Sequence, residues 1–125
     1  MSTQQNVRQA TGATGEDIAV AWLEQQGWRI LARNWRCRAG ELDIIALDPA
    51  QVVVVCEVKT RRGLGYGDPL EALTYAKVRR LRQLTAEWAH SQPERIARVR
   101  IDAIGILLAG DGTATVRHVR DVEQV

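Results

Sequence analysis

Residues 41–59 read Glu41-Leu42-Asp43-Ile44-Ile45-Ala46-Leu47-Asp48-Pro49-Ala50-Gln51-Val52-Val53-Val54-Val55-Cys56-Glu57-Val58-Lys59. Two apolar runs flank Asp48-Pro49-Ala50, which supplies a turn, so the stretch predicts a strand over 41–47 and a second over 51–59. The second run is apolar on both sides through Val52 to Val55, which places it at the centre of a sheet covered on both faces. Such strands rarely carry charges, so Asp43, Glu57 and Lys59 stand out. Residues two apart share a face: Glu57 and Lys59 point one way and Val58 the other. Opposed residues in an antiparallel hairpin have a constant index sum. Asp43 and Glu57 share a face if that sum is even, as with Asp48 opposite Val52, whereas an odd sum sets Asp43 against Cys56. With a shared face, two carboxylates and an ammonium converge. Carboxylate oxygens suit Mg²⁺ or Mn²⁺, and Lys59 could orient a water or stabilise charge on a phosphoryl group. A salt bridge at the strand end is the plain alternative.

Upstream, Thr14-Gly15-Glu16-Asp17 offers a capping hydroxyl followed by acids in a first helical turn. Ile18, Ala21, Trp22 and Gln25 continue the helical spacing until Gly27 stops it. Trp28 to Trp35 reads as a strand with Trp28, Ile30 and Ala32 on one face. Downstream, Gly63, Gly65 and Gly67 mark a loop, and Asp68-Pro69 opens a helical stretch reaching about His90, with Tyr75 a break between two helices. Leu70, Leu73, Val78, Leu81, Leu84 and Trp88 give that stretch one core face. Strands over 98–107 and 113–120 flank the turn Gly110-Asp111-Gly112. The order αβββα(α)ββ describes an α/β fold with a mixed central sheet flanked by helices. Residues 1–13 are expected to be a flexible tail and 14–125 a single domain.

The chain has 125 residues, 46% hydrophobic and 26% charged, the composition of one ordinary domain. Cys37 and Cys56 lie outside any CxxC spacing, which argues against a zinc ribbon or a disulfide framework. Residues 1–14 contain no apolar segment for secretion, and Val52 to Cys56, the longest aliphatic run, falls far short of a membrane span. A reducing cytoplasm is therefore the expected compartment and no membrane the expectation. Net charge is only +2, yet just Lys59 and Lys77 of the 17 basic residues are lysines. Arginine's planar fork matches phosphate oxygens, although codon bias produces the same preference.

The series Asp43, turn, Glu57-Val58-Lys59 resembles the D…(D/E)xK pattern of the PD-(D/E)xK nuclease superfamily, and Glu16 matches the extra acid of its Holliday-junction resolvase branch. More closely, five ordered blocks resemble those of the bacterial YraN family. These are Gly15-Glu16-x-x-Ala19, Gly40 to Ala46, Glu57-Val58-Lys59-Thr60-Arg61, Lys77 and Arg100-Ile101-Asp102, within about Gly12 to Ile106. The resemblance implies a restriction-endonuclease-like core in which Asp43, Glu57 and Glu16 ligate Mg²⁺ or Mn²⁺ and Lys59 is the base or water-orienting group. The resemblance implies no particular substrate; the activity expected of this residue set is metal-dependent endonucleolytic hydrolysis of DNA, branched or structured DNA included. A catalytically silent nucleic-acid-binding module and a protein-interaction scaffold are the alternatives. Relatives that cut junctions are commonly dimers, which leaves a homodimer open, although no heptad repeat signals one.

Other charged positions have two readings each. Glu41, two residues before Asp43, is a supporting partner of the site or a solvated acid. Arg61 and Arg62 suit phosphate contacts at the mouth of the site or are exposed loop residues. Lys77, Arg79, Arg80 and Arg82 could track a nucleic-acid backbone or line a solvated helix face. Arg100 and Asp102 read as a buried pair supporting the site rather than as catalytic groups. His90 and His118 read as surface residues, and Trp22, Trp28, Trp35 and Trp88 as core or interface packing.

Overall fold

Asp48 fixes the hairpin at the heart of the fold. In the computed structural model, which describes residues 2–8, 14–63 and 68–124, its carboxylate accepts the N–H groups of Ala50 and Val52, both at 2.9 Å. Its own N–H donates to the Val52 carbonyl at 3.0 Å. Asp48 therefore stands opposite Val52, and β3 (Gly40–Leu47) pairs antiparallel with β4 (Val53–Arg62) from Leu47↔Val53 to Ile44↔Cys56. This is the even index sum, and it points Asp43 and Glu57 at each other.

The described strands form one six-stranded mixed sheet in the order β1-β6-β5-β4-β3-β2. The remaining strands are β1 (Ser2–Arg8), β2 (Arg29–Cys37), β5 (Val99–Leu108) and β6 (Thr113–Val119). The β4–β5 pair is parallel, joined through helix α2 (Tyr75–Ser91). Helix α1 (Gly15–Gln25) begins at a capping box, with the Thr14 hydroxyl accepting the Asp17 N–H and the Asp17 carboxylate accepting the Thr14 N–H. Val54 and Cys56 pack beneath Ile18, Ala19, Trp22 and Leu23 of α1. Val53 and Val55 pack beneath Leu81, Leu84 and Trp88 of α2. The valine run thus serves two cores at once, and the result is an α/β architecture consistent with a restriction-endonuclease-like core.

Several expectations change. Ser2–Arg8, within the expected tail, is an edge strand paired with β6, and Gln5 accepts the Trp22 indole N–H at 3.1 Å. Main-chain bonds hold this edge; Val7 is its single apolar contribution to the core, so no hydrophobic alternation marks it. Residues 9–13, Gly65 and Gly67 lie outside the described residues. The stretch after Asp68 is a single-turn 3₁₀ helix, Pro69–Ala72, followed by α2, with Tyr75 the first helical residue. A bulge between Ile30 and Ala32 sends Ile30 to the α1 core and Ala32 to the α2 core, against their expected common face. His118, expected at the surface, is 1% exposed. Its strand alternates inward through Ala114, Val116 and His118, and its ring meets Trp22 and Trp28 at centroid distances of 5.2 and 5.4 Å.

Candidate metal centre

Asp43 sits where the sheet is broken on purpose. Trp35↔Leu42 and Arg33↔Ile44 pair across β2 and β3, but Asn34, with φ +53°, leaves Asp43 without a regular partner. Leu42 belongs to the α2 core and Ile44 to the α1 core, so the chain changes face at Asp43. The β3–β4 ladder stops at Ile44↔Cys56 while β4 runs on beside β5 to Arg62. The freed Val58 N–H donates to Asp43 Oδ2 at 2.9 Å.

Glu57 meets Asp43 at this parting of strands. Burial, then a hydrogen bond with Asp43 and the charge of Asp43, push the Glu57 carboxyl up to about 8, against the opposing pull of Lys59 and the Val58 N–H. Lys59 Nζ lies 4.0 Å from Glu57 Oε2, and the two side chains are 31% and 16% exposed. On β5 the positions beside Glu57 and Lys59 are Ala103 and Gly105. At Gly105 an added Cβ would come within 3.0 Å of Leu70, so the 3₁₀ turn rests directly on the strand beside Lys59. Small residues alternating on one face of that strand were a readable sign of close approach.

Glu16 does not join the pair. Arg33 Nε holds its carboxylate at 3.0 Å, and Arg33 Nη2 holds Asp17 at 2.8 Å. Two alternations explain this. The β2 bulge turns Arg33 to the α1 side, where Glu16 stands, and Gly15 abuts Thr60, which faces away from Glu57 and Lys59. Among the described residues no group of three or more His, Cys, Asp or Glu side chains could hold a metal ion, so the expected trio of acids is a pair. Two carboxylates, one retaining a proton at neutral pH that a cation would displace, still fit a hard divalent ion completed by water and phosphate oxygens.

The remaining candidates divide. Glu41 is bound by Arg36 at 2.7 Å. Arg100 is half-buried and pairs with Asp102, as read from their alternation: Nε and Nη2 contact Asp102 at 2.8 and 3.0 Å, and Nη1 contacts Asp48 at 3.2 Å. The expected support of the metal site is not seen, because Asp102 stands beside Cys56 on the α1 side, away from Glu57. Arg61 shares the face of Glu57 and Lys59, and Arg62 the opposite one; both are exposed. The basic stretch of α2 is not a uniform row. Lys77 Nζ caps the Ala72 carbonyl at 3.0 Å, Arg80 donates to the Ala39 carbonyl, and Arg82 pairs with Glu123. Arg79 is exposed.

Residues 15–106 match the family described as Uncharacterised protein family UPF0102. The chain belongs to this family. UPF0102 is the YraN family that the five sequence blocks resemble. Similar members include UPF0102 proteins of Mycobacterium sp. (strain KMS), 51% identical over 116 residues covering 92% of this chain and 86% of the relative, and of Nocardioides sp. (strain ATCC BAA-499 / JS614), 47% identical over 116 residues covering 93% of each. A UPF0102 protein of Rhodococcus opacus (strain B4) is 47% identical over 112 residues, 90% of this chain and 94% of the relative. The UPF0102 match spans α1 through most of β5, so the acid pair and Lys59 lie inside it and β1 and β6 outside.

Proposed function

We propose that this protein is a Mg²⁺- or Mn²⁺-dependent endonuclease that hydrolyses phosphodiester bonds in DNA. The observation that carries this reading is the meeting of the Asp43 and Glu57 carboxylates, with Lys59 beside them, where β3 and β4 part. Asp43 and Glu57 would hold the cation, which supplies a water of lowered pKa and offsets charge on the phosphoryl oxygens. Lys59 keeps its ammonium on the same face, within reach to orient the water or neutralise the developing negative charge. Arg61, two residues further on that face, is positioned to hold a neighbouring phosphate. The half-open site admits a backbone from solvent.

A second reading is a nucleic-acid-binding module of the same fold without turnover, favoured by the engagement of Glu16 with Arg33. A cleavage screen on single-stranded, duplex, flap and four-way-junction DNA in Mg²⁺ or Mn²⁺ separates the two. The endonuclease cuts at least one substrate, and Asp43→Ala and Glu57→Ala reduce cutting to background while nucleic-acid affinity is kept. Salt-sensitive binding without cutting selects the second reading. Undiminished cutting by folded Glu57→Ala protein overturns the first.

A further inference from the structure

Tyr75 is 81% exposed at the first residue of α2, an unusual place to leave a large ring in water. It lines a cavity of about 550 Å³ together with Val78, Val122, Arg79 and Gln83. Two further lining residues are held in place: Arg82 pairs with Glu123 and donates to the Val99 carbonyl at 3.0 Å. The first turn of α2 carries no acid, and Lys77, Arg79 and Arg80 follow along it. An exposed aromatic ring, an amide able to donate and accept, and an exposed guanidinium in the same lining match a base and its phosphate.

We propose that this cavity binds one unpaired nucleobase of a DNA strand, stacked on Tyr75, with its phosphate on Arg79. A base within a duplex has its faces covered by its neighbours, so the ring selects single-stranded or frayed segments. The location fits the candidate metal centre. Leu70 packs on Gly105, the β5 neighbour of Lys59, and Tyr75 follows five residues later, within about 18 Å of chain. A few nucleotides of single strand bridge that distance. The choice of nucleic acid as occupant rests on the nuclease reading, and the inference deepens it by naming a substrate with an unpaired segment.

The test is fluorescence anisotropy in EDTA, where no cutting occurs, with a labelled oligothymidylate and a blunt duplex of equal length. Tyr75→Ala should weaken single-strand binding about tenfold and leave duplex binding unchanged, while Tyr75→Trp retains affinity. Arg79→Ala should lower the salt slope by about one phosphate contact. Equal affinities of Tyr75→Ala and wild type, equal losses on both oligonucleotides, or no binding of either overturn the proposal. The two readings fail separately. Tyr75-dependent binding without cutting in Mg²⁺ or Mn²⁺ removes the nuclease, and cutting with Tyr75-independent binding removes the base pocket.

Discussion

Asp102, buried on β5, and Glu57, half-buried on the neighbouring β4, are acids that the protein treats in opposite ways. Asp102 faces α1, is fully buried, and receives Arg100, the His118 ring at 2.8 Å and the Asp121 N–H at 2.9 Å. Burial pushes its carboxyl up, but the hydrogen bonds from His118, Arg100 and Asp121 outweigh this and leave it below the ordinary range. Glu57 faces the other side and meets a second acid, with the Lys59 ammonium nitrogen at 4.0 Å. Both sites incur desolvation; donors outweigh it at Asp102 and fall short of it at Glu57. Where the fold needs cohesion, it surrounds the acid with partners. At Asp43 and Glu57 it leaves like charges together, an arrangement that a divalent cation relieves.

The largest effect comes from breaking the compensated site. Asp102→Ala leaves His118 without its carboxylate and Arg100 with Asp48 alone, beneath Trp28 at 5.8 Å from the guanidinium carbon. Removing one partner of a buried ionic network costs about 3–5 kcal/mol. Denaturant midpoints measure it. A loss below about 1 kcal/mol means the network is not the cohesive element described, and the contrast with Glu57 disappears.

This contrast was only half legible in the sequence. Parity around Asp48-Pro49-Ala50 set the hairpin register, and with it the approach of Asp43 to Glu57, because side-chain period two leaves no freedom once the turn is placed. Arg100 and Asp102 were likewise readable as a pair. Their partner was not recognised, although His118 alternates with Ala114 and Val116; a lone polar residue obscured an otherwise inward pattern. The position of Glu16 was beyond pattern reading. It depends on the bulge in β2, which arises from the pairing of whole strands and which local composition does not mark.

Glu57→Gln sharpens the comparison with the opposite sign. The Glu57 carboxyl titrates near 4.5 when unfolded and about 8 when folded, so the folded state holds the extra proton in between. Its contribution to stability is complete below the unfolded value and is lost as pH rises through about 8. Metal-free wild type should lose roughly 2–4 kcal/mol from this group between pH 4.5 and 9. Glu57→Gln, which keeps the neutral shape, should flatten that slope and be the more stable protein at pH 9. Millimolar Mn²⁺ should raise the wild-type melting temperature at pH 8 and leave Glu57→Gln little changed. An identical pH slope in the two proteins removes the uncompensated pair from the argument.

The smallest effect tests whether the pair is complete. Glu16→Gln removes one half-exposed contact to Arg33, which retains Asp17 at 2.8 Å, so the cost in stability should stay within about 0.5 kcal/mol. If Asp43 and Glu57 suffice to hold the cation, the Mn²⁺-induced rise in melting temperature is the same in Glu16→Gln as in wild type. Loss of that rise would make Glu16 a third ligand, recruited from Arg33 when the ion arrives, because a carboxylate locked in a surface ion pair cannot otherwise alter metal affinity from the opposite face of the sheet. An Arg33→Gln variant checks the same point from the other partner. Freeing Glu16 strengthens Mn²⁺ binding only if Glu16 moves to the metal, and leaves it unchanged if two carboxylates are the whole protein donor set.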